Sequence, residues 1–365
     1  MVTAIAVRLK YDSGLNINSA NPPLGDLPLN PFVRFIARRL GFLVTTFIVF
    51  LLVIFALPRA IPGNPLAVLL AQIFQTATAT PELVSTVQRR LMEEFGVGKP
   101  IPVQFYEFLN RFSRGDLGTS IAFYPRKVAD LVFVYLPWSL GLLIPATLTS
   151  WIIGNLLGAL AAYKRKKAVD NALLPVFLTL SQTPYYWLAM ILLYAFAVTL
   201  RIFPLSGAYS RLKIPALTLP FVLDMLHHYT LPFFSIVLGA IGGWAIGMRA
   251  MVIYELGADY VSYADSLGLP DSKVLRYVFR NSMLPQVTGL ALNLGLMLGG
   301  SLITELVFSY PGTGYLVFRA LSTLDYPMIQ GTFILLISTL LVANFLVDLV
   351  YAYVDPRIRT GYVGE

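Results

Sequence analysis

The segment Glu255–Pro285, ELGADYVSYADSLGLPDSKVLRYVFRNSMLP, is polar and charged and lies between two of the most apolar parts of the chain. Its first half predicts a short amphipathic helix that Asp259 caps and Gly268 ends. One face of this helix consists of Tyr260, Tyr263, Ala264 and Leu267. A second helix follows, and its cations recur at spacings of three and four residues: Lys273, Arg276 and Arg280. The pattern alone is compatible with two structures, a solvated loop against lipid headgroups or a docking element for a soluble partner.

The composition of the chain is typical of a membrane protein. Of its 365 residues, 57% are hydrophobic and 13% are charged, and the mean hydropathy is +0.71. The net charge of +8 does not indicate a nucleic-acid partner, because the basic residues mostly flank apolar segments, as they do beside a lipid bilayer. The chain has no cysteine and only two histidines, His227 and His228, whose adjacent side chains point in different directions on a helix. We therefore expect it to bind no metal or cofactor.

Six segments are long and apolar enough to cross a bilayer as helices. The first occupies residues 32–57. The other five are Leu136–Tyr163, Ala172–Leu200, Tyr229–Ile253, Gln286–Phe308 and Ile329–Val354. The sequence therefore predicts an all-α polytopic membrane protein, in which residues 136–355 form a five-helix core that includes the polar loop 255–285. Prolines such as Pro184 can kink or start helices within these segments.

Lysine and arginine residues in the short connections predict the orientation. They are dense after the second span, in the loop 255–285 and in the C-terminal tail 356–365, which all share a side with the N-terminal extension 1–31. The positive-inside rule places that side, and both termini, in the cytoplasm. The long loop 58–135 then lies outside the cytoplasm, and its apolar periodicity predicts short amphipathic helices there.

Four polar residues within the predicted spans are candidates for the lining of a translocation path or for contacts between helices: Asn293, Glu305, Asn344 and Asp348. Contacts between helices are the more common role of such residues. The sequence contains no GxxxxGK[ST] phosphate loop, no HExxH zinc pair and no GxSxG nucleophile turn, so an enzyme is not indicated. A secondary transporter or channel stays open as an alternative, although such a protein usually clusters ionisable groups at mid-membrane.

A series of short motifs resembles the inner-membrane permeases of ATP-binding-cassette importers of the dipeptide and oligopeptide type. The segments DYVSYADSLGLP and VLRYVFRNSMLP resemble the cytoplasmic EAA loop of that family. Further matching segments, in the order of the family, are IPGNP (61–65), KPIPVQF (99–105), RGDLGTS (114–120), VFSYPGTGYL (307–316), DYPMIQG (325–331) and VDPRIR (354–359). The resemblance extends from about residue 35 to residue 359, so the N-terminal extension lies outside it.

The resemblance implies a half-channel for peptides or oligosaccharides that works by alternating access. Its implied partners are a second homologous permease, two ATPase subunits that bind ATP and Mg²⁺, and an external substrate-binding protein. It also implies a cytoplasmic coupling helix that docks on the ATPases. The implied coupling residues are Asp259, Tyr260, Ser262, Tyr263, Ala264, Asp265, Leu267, Gly268, Leu269, Arg276 and Arg280.

The chain departs from the family pattern within this helix. The EAA signature falls on Ser262, Tyr263, Ala264 and Gly268, of which only Ala264 and Gly268 agree with it. Positions that are often basic in the family hold Ser262, Asp265 and Leu267. We therefore expect this helix to dock through its shape and its aromatic and apolar face rather than through positive charge.

Overall fold

The computed structural model describes residues 31–60, 98–165, 167–210, 213–216, 218–296 and 302–354, together with isolated positions between 70 and 96. These residues are mainly helical. The helices are α1 (Pro31–Ala60), α2 (Ile101–Ser113), α3 (Val128–Tyr163), α4 (Ala168–Gln182), α5 (Tyr185–Leu192, continued by a π-helical segment Leu193–Thr199), α6 (Leu219–Glu255), α7 (Asp259–Ser266), α8 (Asp271–Leu296), α9 (Leu302–Val307), α10 (Thr313–Ser322) and α11 (Tyr326–Val354).

The chain divides into two compact units. The larger unit is Phe42–Asp348, and it contains every contact discussed below. The smaller unit consists of Met1–Gly41 and Leu349–Glu365, of which the structure describes the first turns of α1 and the end of α11. The predicted N-terminal extension and C-terminal tail lie almost wholly outside the described residues.

Three of the described helices are long and apolar enough to cross a membrane: Val33–Ala60, Val128–Tyr163 and Leu219–Glu255. They coincide with the predicted first, second and fourth spans. The predicted fifth span falls on α8 and α9, which are separated by residues 297–301 outside the described part, and the sixth falls on α11. A total of six spans therefore remains a prediction.

The predicted third span, Ala172–Leu200, is broken in the structure. The helices Ala168–Gln182 and Tyr185–Thr199 meet at an angle of 98° and together could make a fourth span. The break lies at Thr183 and Pro184. Because proline has no backbone N–H, Pro184 cannot continue the hydrogen bonds of α4, and it instead precedes the first residue of α5.

Helices α3 and α6 form the central pair of the larger unit. Gly158 on α3 lies so close to Ala245 on α6 that a Cβ atom at Gly158 would overlap the Ala245 carbonyl. Ala161, Ala245 and Phe177 of α4 are buried together beside this contact. Small side chains therefore let the helices approach closely, as is common within membranes.

The helix predicted in the loop 58–135 from its aromatic periodicity is α2. Phe108 of α2 packs with Phe55 of α1, Val128 of α3 and Ile329 of α11 in one buried cluster. This cluster lies at the beginning of α3. A second buried cluster contains residues of α7 together with Ala162, which lies at the end of α3. The two clusters are therefore about 50 Å apart along α3.

Candidate functional site

Helix α7 is a short helix held between the end of α6 and the start of α8. Its first residue is Asp259, and the residue before it, Ala258, occupies the N-cap position without a side-chain hydrogen bond. The predicted capping role of Asp259 is therefore wrong. As the first helical residue, its carboxylate still lies near the positive end of the helix dipole.

The predicted end of α7 at Gly268 is confirmed. Gly268 has a φ angle of +70°, a conformation that residues with a Cβ rarely adopt. Its backbone N–H donates to the Asp265 carbonyl at 2.9 Å, and the Leu269 N–H donates to the Ala264 carbonyl at 3.2 Å. This pair of bonds is the Schellman motif, which fixes the direction in which the chain leaves the helix.

The face of α7 that the sequence predicted as a single docking surface is partly exposed and partly buried in the structure. The side chains of Tyr263 and Leu267 are 68% and 62% exposed. Ala264 is only 6% exposed, and Tyr260 is half-buried. Because Ala264 faces other helices of its own chain, the prediction that it belongs to an accessible docking face is corrected.

The buried side of α7 anchors it to three other helices. Val261 and Ala264 pack in one cluster with Ala162 of α3, Met248 and Val252 of α6, and Val274 and Val278 of α8. The Tyr260 hydroxyl also donates to the Glu255 carboxylate at 2.7 Å. Burial, and then this hydrogen bond, raise the pKa of Tyr260. The buried side of α7 is therefore in contact with α3, α6 and α8 together.

The remaining coupling candidates lie at the exposed edge of this arrangement. Ser262 and Asp265 are exposed on α7, and Leu269 is half-buried in the turn that follows. Arg276 and Arg280 are exposed on α8, the second of the two helices predicted for this segment. The structure thus brings the predicted residues into one region, where they lie on two consecutive helices.

A buried ion pair joins α4 to α6 close to this region. Arg249 Nε and Nη2 donate to the two carboxylate oxygens of Asp170 at 2.8 and 2.9 Å. The side chain of Asp170 is 6% exposed and that of Arg249 is 19% exposed. Such a two-point contact fixes the relative orientation of both side chains.

Glu305 organises a second site, near the beginning of α3. Its buried carboxylate accepts hydrogen bonds from Ser139 Oγ at 2.6 Å and from the Gly314 N–H at 2.7 Å. A Cβ atom at Gly312 would overlap this carboxylate, so a larger residue there would displace the Glu305 side chain. Gly314 lies in the first turn of α10, where a negative charge stabilises the helix dipole. Glu305 therefore makes helix contacts, which was one of its two predicted roles.

Asp325 is the centre of a third site and connects two of the motifs found in the sequence. One of its carboxylate oxygens accepts from Ser120 Oγ at 2.6 Å and from the Ala122 N–H at 2.9 Å. The other oxygen accepts from the Met328 N–H at 3.0 Å, in the first turn of α11. Burial raises the pKa of Asp325, while these hydrogen bonds oppose the rise.

The other polar candidates lie on α8 and α11. Asn293 is exposed on α8, and Asn344 and Asp348 are half-buried on α11. Their proposed roles in a path or in helix contacts remain predictions. Within the described residues, no group of three or more histidine and acidic side chains could hold a metal ion.

Comparison with known proteins identifies the family. Residues 154–360, which include α7 and α8, match the family model of the binding-protein-dependent transport system inner membrane component. The chain belongs to this family. It is a multi-pass membrane protein and a permease subunit of an ATP-binding-cassette importer, so a secondary transporter or channel is not favoured.

Similar permeases match nearly the whole chain. The di/tripeptide transport system permease protein DppB of Pseudomonas aeruginosa is 32% identical over 343 residues, which cover 90% of this chain and 99% of that protein. The dipeptide transport system permease protein DppB of Escherichia coli K12 is 32% identical over 354 residues with the same coverage. The oligopeptide transport system permease protein AppB of Bacillus subtilis is 28% identical over 307 residues, 84% of this chain and 92% of that protein.

Three residues of the permease that organise its structure were not predicted from the sequence: Asp170, Arg249 and Asp325. The role of Asp325 at the start of a helix could have been found in the sequence, because an acidic residue followed two positions later by a proline, here Pro327, is a common helix start. Asp170 and Arg249 are 79 residues apart, and nothing in the local pattern of either indicates the other.

Proposed function

We propose that this permease forms half of a translocation path for peptides. The proposal is supported chiefly by the relatives, which are named as dipeptide, tripeptide and oligopeptide permeases and match up to 90% of the chain. A second homologous permease would supply the other half of the path. An external binding protein would deliver the peptide, in keeping with the description of the family.

We further propose that α7 is the coupling helix on which the ATPase subunits dock. Its exposed residues Tyr263 and Leu267 project from a helix whose other side is fixed to α3, α6 and α8. A helix that is anchored in this way can transmit a push from a partner to the membrane helices, whereas a loosely attached loop would absorb it. Converting a 1:99 mixture of two states into 99:1 requires about 5.5 kcal/mol of differential binding, which the ATPases would provide.

In this proposal ATP and Mg²⁺ bind to the partner ATPases, and this chain hydrolyses nothing. Both termini and α7 lie in the cytoplasm, as the distribution of lysine and arginine predicts. Asp259, Ser262 and Asp265 are exposed around Tyr263 and Leu267 and complete the docking surface. We keep the coupling role for Arg276, which is exposed on the neighbouring helix.

The cargo can be tested by uptake into proteoliposomes that contain the permease with its partner permease, ATPases and binding protein. We expect ATP-dependent accumulation of a labelled dipeptide or tripeptide. Competition by unlabelled peptides should be strong, and competition by an oligosaccharide should be absent. Uptake that an oligosaccharide blocks and peptides do not would contradict the peptide assignment while leaving the ATPase coupling intact.

A further inference from the structure

A groove of about 340 Å³ opens between α7 and α8, beside the proposed docking surface. It is lined by Tyr260 of α7 and by Tyr277, Arg280, Asn281 and Leu284 of α8. Its volume lies at the lower end of the range of about 300–1,000 Å³ that is typical of small-ligand sites. The lining combines one cation, two aromatic rings and an aliphatic side chain, which suits an amphipathic ligand.

Along α8, the exposed side chains change from basic to apolar at this groove. With about 3.6 residues per turn, Lys273, Arg280, Leu284 and Val287 fall on one narrow strip of the helix. Lys273 and Arg280 are exposed, and Leu284 and Val287 are 68% and 51% exposed. After Arg280, the next charged residue of the chain is Glu305. Arg280 is thus the last cation before a long uncharged segment, where a helix passes from the headgroup layer into the hydrocarbon.

The guanidinium group of Arg280 is available for a ligand. Among the residues that the structure describes, Arg280 has no hydrogen-bond or ion-pair partner, in contrast to Arg249, which is paired with Asp170. The Tyr260 hydroxyl is already engaged with Glu255. The groove therefore presents one unpaired cation, and a guanidinium group binds phosphate oxygens with two parallel hydrogen bonds.

We propose that this groove binds an anionic phospholipid, with its phosphate on Arg280 and one acyl chain along Leu284 and Val287. The tyrosine rings would flank the headgroup at the depth where tyrosine is enriched in membrane proteins. This assignment gives Arg280 a role other than the ATPase coupling expected from the sequence. The lipid would thus be bound between the helix that receives the ATPases and the helix that continues into the membrane.

The test compares the amount of phosphatidylglycerol that stays bound to purified permease. Wild-type protein is reconstituted in nanodiscs of phosphatidylglycerol and phosphatidylcholine in equal parts, extracted with mild detergent and analysed by mass spectrometry. We expect Arg280→Gln to reduce the retained phosphatidylglycerol about tenfold, which is the order expected for the loss of a charge-assisted hydrogen bond. Arg165→Gln removes an exposed cation outside the groove and is the matched control, with less than about a twofold effect expected from general screening.

Wild-type protein supplies an independent measurement that needs no variant. Short-chain phosphatidylglycerol should raise its unfolding temperature in detergent, whereas short-chain phosphatidylcholine and inorganic phosphate should not. Equal losses of phosphatidylglycerol in Arg280→Gln and Arg165→Gln would overturn the proposal, since the attraction would then be diffuse. Loss of ATPase co-purification with unchanged lipid retention in Arg280→Gln would also overturn it and would return Arg280 to the coupling surface. A thermal shift with inorganic phosphate would assign the groove to a free anion instead of a lipid.

Discussion

The carboxylate of Glu305 is buried at the start of α10 and accepts hydrogen bonds from a serine hydroxyl and from backbone N–H groups. Glu305→Gln replaces one accepting oxygen by an NH₂ group and leaves buried donors without a partner. We expect this change to lower the free energy of unfolding by about 1–3 kcal/mol, measured as a lower unfolding temperature in detergent.

The control for this prediction is Glu107→Gln. Glu107 forms an exposed ion pair with Lys99, and exposed pairs contribute at most about 1 kcal/mol. Equal effects of the two changes would show that Glu305 does not stabilise the start of α10.

The raised pKa of Asp325 should make the stability of the folded protein depend on pH. Because its pKa in the folded protein is raised above its ordinary value, the folded state holds the proton more tightly than the unfolded state does. The stability that Asp325 contributes is therefore complete below the unfolded-state pKa and is lost as the pH rises through the raised value. Asp325→Asn should weaken the fall in unfolding temperature from about pH 4 to about pH 7.

Asp116 offers a comparison for this measurement, since its carboxylate is exposed and accepts from the Gly118 N–H at 3.0 Å. Asp116→Asn should keep the wild-type slope. If Asp325→Asn also kept that slope, the raised pKa of Asp325 would be refuted.

Among the elements, α4 and α6 are connected by the ion pair of Asp170 and Arg249. Arg249→Gln should cost about 1–3 kcal/mol of stability, because it removes the charge-assisted hydrogen bonds that the Asp170 carboxylate accepts from this guanidinium group. The double variant Asp170→Asn with Arg249→Gln should be destabilised by less than the sum of the two single variants. Additive effects in this double-mutant cycle would mean that the two side chains do not interact energetically.

The turn after α7 depends on the positive φ angle of Gly268 and on its N–H group. Proline can supply neither, so Gly268→Pro should change the direction in which the chain leaves α7. We expect the ATPases to hydrolyse more ATP per peptide transported, because the movement of α7 would reach α8 less directly.

Gly257→Ala is the matched control for the turn. Gly257 lies in the preceding turn, and a Cβ atom there would meet the Tyr254 carbonyl at an ordinary distance of 3.4 Å. This variant should keep the wild-type ratio of ATP to peptide. Normal coupling in Gly268→Pro would show that the turn is not part of the transmission.

Some features of these elements follow from local sequence, and others depend on residues that are distant in the chain. The end of α7 at Gly268 and the periodicity of α2 are local signals, so both were predicted correctly. The sequence showed that Pro184 could break the predicted third span but not that it does, because some transmembrane helices continue through a proline. The burial of Ala264 depends on α3, α6 and α8, which are distant in sequence, and no local pattern could show it.

At the scale of the whole molecule, α3 links two regions of different character. Near its beginning lie the Glu305 and Asp325 sites, where carboxylates fix helix starts and loops. Near its end lies the cluster that holds α7. The family motifs could be recognised in the sequence, but the way in which Asp325 joins RGDLGTS to DYPMIQG required the structure.

The proposed coupling of the permease to its ATPases through the exposed residues of α7 can be measured as ATP-dependent peptide uptake. In the α7 variant, Tyr263 and Leu267 are both replaced by aspartate. The control is Tyr106→Asp, which changes an equally exposed aromatic residue on α2. All proteins are reconstituted with the partner permease, ATPases and binding protein. We expect normal folding of the α7 variant, loss of ATPase association and at least about a tenfold loss of ATP-dependent peptide uptake, since each factor of ten corresponds to only about 1.4 kcal/mol. Wild-type uptake and wild-type ATPase association in the α7 variant would show that α7 is not the coupling helix.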